Sequence, residues 1–487
     1  MDFALILPSE GRRGERLVEA LREAILGGRL APGERLPPSR TLAAQLGVSR
    51  GTVVTAYEVL VSEGYCAARV GAGTFVAVAS PPPREPLPAT EPVLSGWGRR
   101  LALPAESAGT VGTAPPLAAP IPPPVRFDFR PGLASEFFPA EALGRALRRA
   151  AAYLGGEYSA GNPAGSPRLR AALAVHLAHA RAVRATAEQV IVVSGSQQGI
   201  DLATRLLLDP GERVCLEEPC YPRARAVFEA LGARLVPVPV DRDGLRCAAL
   251  PVDGARMVYV TPSHQYPTGA VLAPERRLAL IDWAQQHDAW LLEDDYDSEF
   301  RYSGPPLPAM QGMDRAGRCL YLGSLSKLVH PALRVGYLVV PPALVSTAVA
   351  AKSTLDQATS PAMQEALADL FEAGELERHL RRALRGYRAR RARLLAALTA
   401  HLPAGVRFWP VMGGLHAFIE APSADPARVH AEALARGVAL NDATGCYQAP
   451  PAGARLILWF GRLPLERIEP GVAALAEALC AASSSVQ

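Results

Sequence analysis

The 487-residue sequence lacks any uninterrupted apolar run approaching the ~18 residues that a membrane helix requires, so no membrane-spanning segment is expected. Its seven cysteines (Cys66, Cys215, Cys220, Cys247, Cys319, Cys446 and Cys480) are dispersed, with no C-x-x-C pair. That pattern argues against a disulfide framework or a cysteine zinc site and suits reduced thiols in the cytosol. The nine histidines show neither H-x-x-x-H nor H-E-x-x-H spacing, so no metal site is expected. Charge of one sign is also missing: 51 Lys and Arg against 47 Asp and Glu leave a formal net charge of +4. Any nucleic-acid surface must therefore be local. The opening "MDFALILPSEGRR" has an early acid and a very short apolar run, which predicts no signal peptide and a cytoplasmic protein. No internal repeat is present.

What the chain does contain is ample core material, 49% hydrophobic residues, in a length that calls for several domains. Residues 12–79 are compact, charged and helical in pattern. Residues 80–125 are dominated by Pro, Ala, Gly and Ser ("SPPPREPLPATEP", "TAPPLAAPIPPPV") and read as a semi-extended linker. From 126 to 480 apolar runs alternate with helical segments, the signature of an α/β domain. Its expected buried strands are "QVIVVSG", "RVCLEE", "RLVPVPV", "RMVYVTPS", "WLLEDD", "RCLYLGS" and "GYLVVP".

In the first region Leu42, Ala43 and Leu46 give one helix an apolar face, and Gly47 ends it. Ser49 is a good N-cap for the next helix, whose Val53, Tyr57, Leu60 and Val61 recur at helical spacing. Arg50, Thr52 and Thr55 fall largely on its other side, where a helix-turn-helix presents side chains to DNA. "YCAARVGAGTFVAV" alternates around Gly71 and Gly73, as a two-stranded wing would. The plainer alternative is a three-helix module that binds another protein.

In the large domain, Lys327 follows an apolar run in "YLGSLSKLVHPALRVGY", with Ser324, Ser326 and Arg334 offering donors for a dianionic phosphate. "WLLEDDYDSEF" ends another run in Glu293, Asp294 and Asp295, at the strand end where α/β sheets bind ligands. A buried carboxylate there needs a cation, and a protonated pyridine nitrogen would supply it. "TPSHQYPTG" offers polar groups at the same edge. "SGSQQGIDLATRLLL" turns from strand to helix, so Gly195, Ser196 and Gln197 place backbone N–H groups at a positive helix terminus. In "EEPCYPRAR", Tyr221 can stack on a planar ring and Arg223 can grip a carboxylate. A phosphate cradle, a ring-nitrogen acid, an aromatic face and an amine nucleophile are the requirements of pyridoxal 5′-phosphate (PLP).

Two resemblances follow from these residues. "ILGGRLAPGERLPPSRTLAAQLGVSRGTV", "AYEVLVSEGY" and "RVGAGTFV" resemble the GntR-type winged helix. The order "SGSQQ", "EEPCYP", "TPSHQYPTG", "EDDYD", "GSLSK", "LRVGY" resembles fold-type I aminotransferases. Together they resemble the MocR/GabR/PdxR regulators, in which such a reader precedes an aminotransferase-like domain. The resemblance implies a mostly α winged helix-turn-helix followed by a large α/β domain with a mainly parallel central sheet. It implies Lys327 as the covalent aldimine lysine, Asp294 at the pyridine nitrogen, and Tyr296 at the phenolic oxygen with His264 or Gln265 nearby. Ser196, Ser324, Ser326 and Arg334 would bind phosphate, Tyr221 would cover the ring, and Tyr158 would reach the partner subunit's phosphate. Arg223 and Arg455 (in "GARLILWFG") would hold a ligand carboxylate. Arg40, Ser49, Arg50, Thr52 and Gly71 would serve DNA binding. The implied partners are a double-stranded operator, a second copy of the chain, and a small amine or amino acid. Cys220, Leu325, His330 and Ala332 depart from the usual residues at their positions, and Gly51 stands where such readers often carry a polar side chain.

The expected function is PLP-dependent transcriptional regulation, directed at vitamin B6 synthesis or at amine and amino-acid metabolism. An aminotransferase with an incidental reader is the alternative, since the lysine, acid and arginines leave slow transamination open. A PLP storage protein is a third reading. The basic run 377–395 reads as a solvated amphipathic helix before a second DNA surface.

Overall fold

The computed structural model describes residues 13–69, 71–77, 95–102, 125–154, 161–304, 307–409 and 411–483. Most of the Pro-rich tract and Tyr158 lie outside these residues. The chain divides into two compact units, 1–93 and 94–487.

The first unit is a three-helix core with a hairpin. Helix α1 (Arg13–Leu26) buries Leu17, Leu21 and Ile25 against Leu42 of α2 (Ser39–Leu46) and Val53, Tyr57 and Leu60 of α3 (Arg50–Ser62). Gly47 ends α2 in the left-handed conformation, at φ 63°, with its N–H returned to Ala43. Ser49 caps α3: its hydroxyl accepts from the Thr52 N–H at 3.1 Å. Strands β1 (Cys66–Arg69) and β2 (Gly73–Val76) pair antiparallel as the wing.

In the second unit, seven residues of the Pro-rich tract form a helix, α4 (Gly96–Ala102), where a semi-extended linker was expected. The central sheet comprises β3 (Val190–Val193), β4 (Arg213–Glu218), β5 (Arg234–Asp241), β6 (Gly244–Leu245), β7 (Met257–Val260), β8 (Trp290–Asp295), β9 (Cys319–Ser324) and β10 (Gly336–Val339). All seven apolar runs singled out in the sequence are among them. The spatial order is β3-β10-β9-β8-β7-β4-β5-β6. Neighbours from β9 through β5 run parallel, while β10 and the two-residue β6 run antiparallel to theirs. Successive residues face opposite cores: Val190 and Val192 join one hydrophobic cluster, Ile191 and Val193 another. Helices α5 (Ser196–Leu207) and α6 (Pro222–Ala230) follow β3 and β4.

The long α7 (Glu375–His401) carries the basic run. It buries Leu376, His379, Ala383, Tyr387, Arg390, Leu394 and Leu398, one stripe at helical spacing; Arg391 is half-buried and donates to the Val411 carbonyl, and the other arginines are exposed. A smaller sheet closes the domain, in the order β11 (Arg407–Phe408), β12 (His416–Ala421), β14 (Ala454–Trp459), β13 (Asn441–Asp442). Among the described residues no helix is long and apolar enough to cross a membrane.

Candidate functional site

The parallel strands end at a cleft of about 930 Å³ in the second unit, a size suited to a small organic ligand. Lys327, Asp294, Tyr221, Tyr296, Ser196, Ser324, Ser326, Arg334 and Arg223 all line it.

Three consecutive acids end β8, and strand alternation separates them. Asp294 faces the cleft. Glu293 accepts the backbone N–H groups of Met310 and Gln311, each at 3.0 Å. Asp295 pairs with Arg181 at 2.7 Å and accepts from the Tyr321 hydroxyl at 2.6 Å. Asp294 accepts from the Tyr259 hydroxyl at 2.7 Å through Oδ2, while its buried Oδ1 has no partner. Burial raises the Asp294 carboxyl to about 7; the Tyr259 bond opposes this and Asp295 and Asp297 add to it. A buried carboxylate oxygen left bare is what a pyridine N–H would complete.

Ser324 closes β9, and its hydroxyl accepts from the Ser326 N–H at 3.1 Å. Lys327 follows in the next short turn, where burial pushes its ammonium below the ordinary lysine range, Asp297 acting against it. Its Nζ stands 4.3 Å from the centre of the Trp459 ring. Opposite, α5 begins at the cleft with Ser196 behind Gly195 at φ 89°. A Cβ on Gly195 would lie 2.9 Å from the Arg334 guanidinium, so only glycine lets that arginine come close. Arg334 donates to the Ser194 carbonyl at 3.1 Å. A helix start, three serines and an arginine thus meet where an anion would be held. The residues present fit PLP.

Other expected residues lie behind this wall. His264 Nδ1 is shared between Asp297, at 3.1 Å, and the Tyr296 hydroxyl, at 3.0 Å. Gln265 binds the carbonyls of Pro219 and Tyr266, both at 2.7 Å, and so fastens two loops. Gln197 donates to the Arg223 carbonyl at 3.0 Å, tying the start of α5 to the start of α6. None of the three lines the cleft. Nor is Arg455 brought there. On β14 its guanidinium turns upstream, to Glu420 at 3.4 Å and to the carbonyls of Ala452 and Ala454. His264, Asp297 and His416 gather with ligand atoms within 4.8 Å, a juxtaposition histidine spacing cannot reveal. The Pro267 carbonyl engages His416 Nε2 at 2.9 Å.

Sequence reasoning missed Tyr259, Tyr266 and Trp459. Tyr266 directly precedes "PTG" and meets Tyr221 edge-on, ring centres 5.2 Å apart. Trp459 shares the strand phase of Arg455, a signal available once the strand's register is known.

In the reader, Arg40, Ser49, Arg50 and Gly71 are exposed and Thr52 is half-buried. The Ser49 hydroxyl also meets Thr52 Oγ1 at 2.9 Å, so it serves the cap.

Comparison with known proteins agrees with this anatomy. Residues 13–76 match the bacterial regulatory proteins of the gntR family, and residues 132–454 match aminotransferase class I and II. The probable rhizopine catabolism regulatory protein MocR of Rhizobium meliloti is 41% identical, over 80% of this chain and 77% of its own. The chain belongs to the MocR-type regulators. The pyridoxine biosynthesis transcriptional regulator PdxR of Corynebacterium glutamicum is 36% identical, over 83% of this chain and 82% of its own. Among solved structures, the Thermus thermophilus α-aminoadipate aminotransferase LysN, complexed with N-(5′-phosphopyridoxyl)-L-leucine, superposes with a TM-score of 0.68. It is 29% identical and covers 74% of this MocR-type chain and 93% of its own.

Proposed function

We propose that this MocR-type regulator binds an operator through its winged helix and reads PLP through its aminotransferase-like domain. The observation that carries the reading is the bare, buried Oδ1 of Asp294 facing the cleft that holds Lys327. Asp294 accepts the pyridine N–H there. Ser196, Ser324, Ser326 and Arg334 hold the phosphate, Tyr221 covers the ring, and Tyr296 serves the phenolic oxygen. PLP supplies a carbonyl that captures amines, and Lys327, its ammonium weakened by burial, is the amine that holds it. Arg40, Arg50, Thr52 and Gly71 contact DNA, with Ser49 setting the helix that carries them. The reader spans 12–79, the linker 80–125 and the sensor 126–480. The chain works in the cytoplasm as a homodimer, as paired operator half-sites require.

One contact supports communication between sensor and linker. Arg100 of α4 donates to the Ala230 carbonyl at 2.8 Å, at the last residue of α6. Tyr221 caps the other end of the same nine-residue helix, with Arg223 two positions further on. A ligand that moves Tyr221 and Arg223 therefore moves the linker's anchor, a population shift carried by one rigid element. The regulated genes concern vitamin B6 synthesis or the use of amino compounds, as the names of PdxR and MocR suggest for those relatives.

Borohydride reduction of the PLP-loaded chain tests the cofactor assignment. The expected result is one pyridoxyl adduct on the peptide containing Lys327, and none in Lys327→Ala. An adduct elsewhere removes Lys327 from the site. An aminotransferase would instead turn over amino acids with a keto acid at the same lysine.

A further inference from the structure

Trp459 ends β14 opposite His416 of β12, their ring centres 4.7 Å apart. It is 3% exposed, and its indole Nε1 has no partner. The ring stands 4.3 Å from Lys327 Nζ, so the side of the lysine facing the small sheet is covered by aromatic surface. The residues behind it on the same strand face are no friendlier to an anion. Ile457 comes next, a fully apolar core residue. Arg455 follows, roughly 13 Å away at strand spacing, and is held by Glu420 and two carbonyls. The indole itself fills the space beside Lys327 on this side, so a carboxylate could settle there, solvated by water, only where that ring is removed.

We propose that Trp459 is the residue that reserves this site for the cofactor itself, so that the signal read is PLP and not an amino acid joined to it. This rests on the reading of Lys327 as the cofactor lysine. The reaction that Trp459 opposes is an exchange of amines at the cofactor's carbonyl carbon. A bond from the ligand nitrogen to that carbon forms, the bond from the carbon to Nζ breaks, and two protons pass from the ligand amine to the lysine. No electrons enter or leave, so the exchange needs no oxidant or reductant. An amino acid whose carboxylate cannot settle beside the lysine does not hold its nitrogen there long enough to exchange.

The test uses full-length protein loaded with PLP, titrated with L-alanine, L-glutamate, 4-aminobutyrate and taurine while the visible spectrum of the lysine-bound cofactor is followed. Wild type and Trp459→Phe, which keeps the ring, are expected to hold their spectra at millimolar amine. Trp459→Ala is expected to shift, with an apparent affinity for at least one amino acid about tenfold or more above wild type. Trp459→Leu, a smaller loss of volume, repeats the comparison should the alanine variant not fold. A wild-type spectrum that shifts at the same concentrations overturns the proposal, for instance through a carboxylate that reaches Arg223. So do smaller variants as silent as wild type. Failure of the underlying reading shows earlier and separately, as wild-type protein that takes up no PLP before any amine is added.

Discussion

At the scale of single residues, the site is a set of groups left incomplete in ways that PLP completes, and Asp294 is the sharpest case. Its carboxyl, raised by burial to about 7, is an acid whose folded form favours the proton. Such a group stabilises the cofactor-stripped fold fully at pH below ~4 and loses that contribution as the pH climbs through about 7. Glu217 and Glu299, also raised by burial to about 7, share the direction, so the wild-type curve falls for several reasons. Comparison with Asp294→Asn isolates one of them. In melting experiments on stripped protein, the advantage of the Asn variant over wild type is expected to be larger near pH 8 than near pH 5; a constant difference would remove Asp294 from the account. Which residues were legible follows the same logic. Lys327, Asp294 and Arg334 sit in short motifs whose neighbours state their chemistry. Arg455 carries a charge but no statement of direction, and Glu420 on the neighbouring strand decides where it turns. His264 and Gln265 share a loop with Tyr266, yet their side chains turn inward to Asp297 and to backbone carbonyls, which spacing cannot foretell.

At the scale of elements, the seven apolar runs were legible because strands buried on both faces read as short unbroken apolar runs, and β5, in which only Val238 is buried, is the one whose expected burial the structure does not bear out. Their order, and the reversal of β10 between β3 and β9, depend on contacts far apart in the chain and leave no local trace. Helix α4 is the instructive miss. Its sequence, "GWGRRLA", sits in a Pro-rich tract without a periodic face, and it is fixed through Arg100 on α6. If α6 is the link between cofactor and linker, Arg100→Ala should leave PLP loading within about twofold of wild type while reducing the effect of PLP on DNA affinity several-fold. Titration of operator DNA with and without PLP, for both proteins, measures that difference. An unchanged PLP effect would show that α6 does not carry the signal.

At the scale of the whole molecule, the sequence joins a module that holds DNA to a domain that holds an aldehyde, with Pro-rich chain between them. The composition already excluded a basic molecule that binds nucleic acid everywhere, so any DNA surface must be local, and the start of α3 and the wing are exposed. The large domain brings a lysine, a buried acid, three serines and an arginine to one cleft, while β14 ends there in an indole. That combination suits a protein that holds the cofactor more than one that turns it over. The most direct measurement is binding to the DNA upstream of the protein's own gene, by PLP-loaded protein, PLP-stripped protein and Lys327→Ala. The account predicts that affinity changes on PLP loading and that the Lys327→Ala protein behaves as the stripped one whether or not PLP is added. Specific binding that is identical in all three would contradict it.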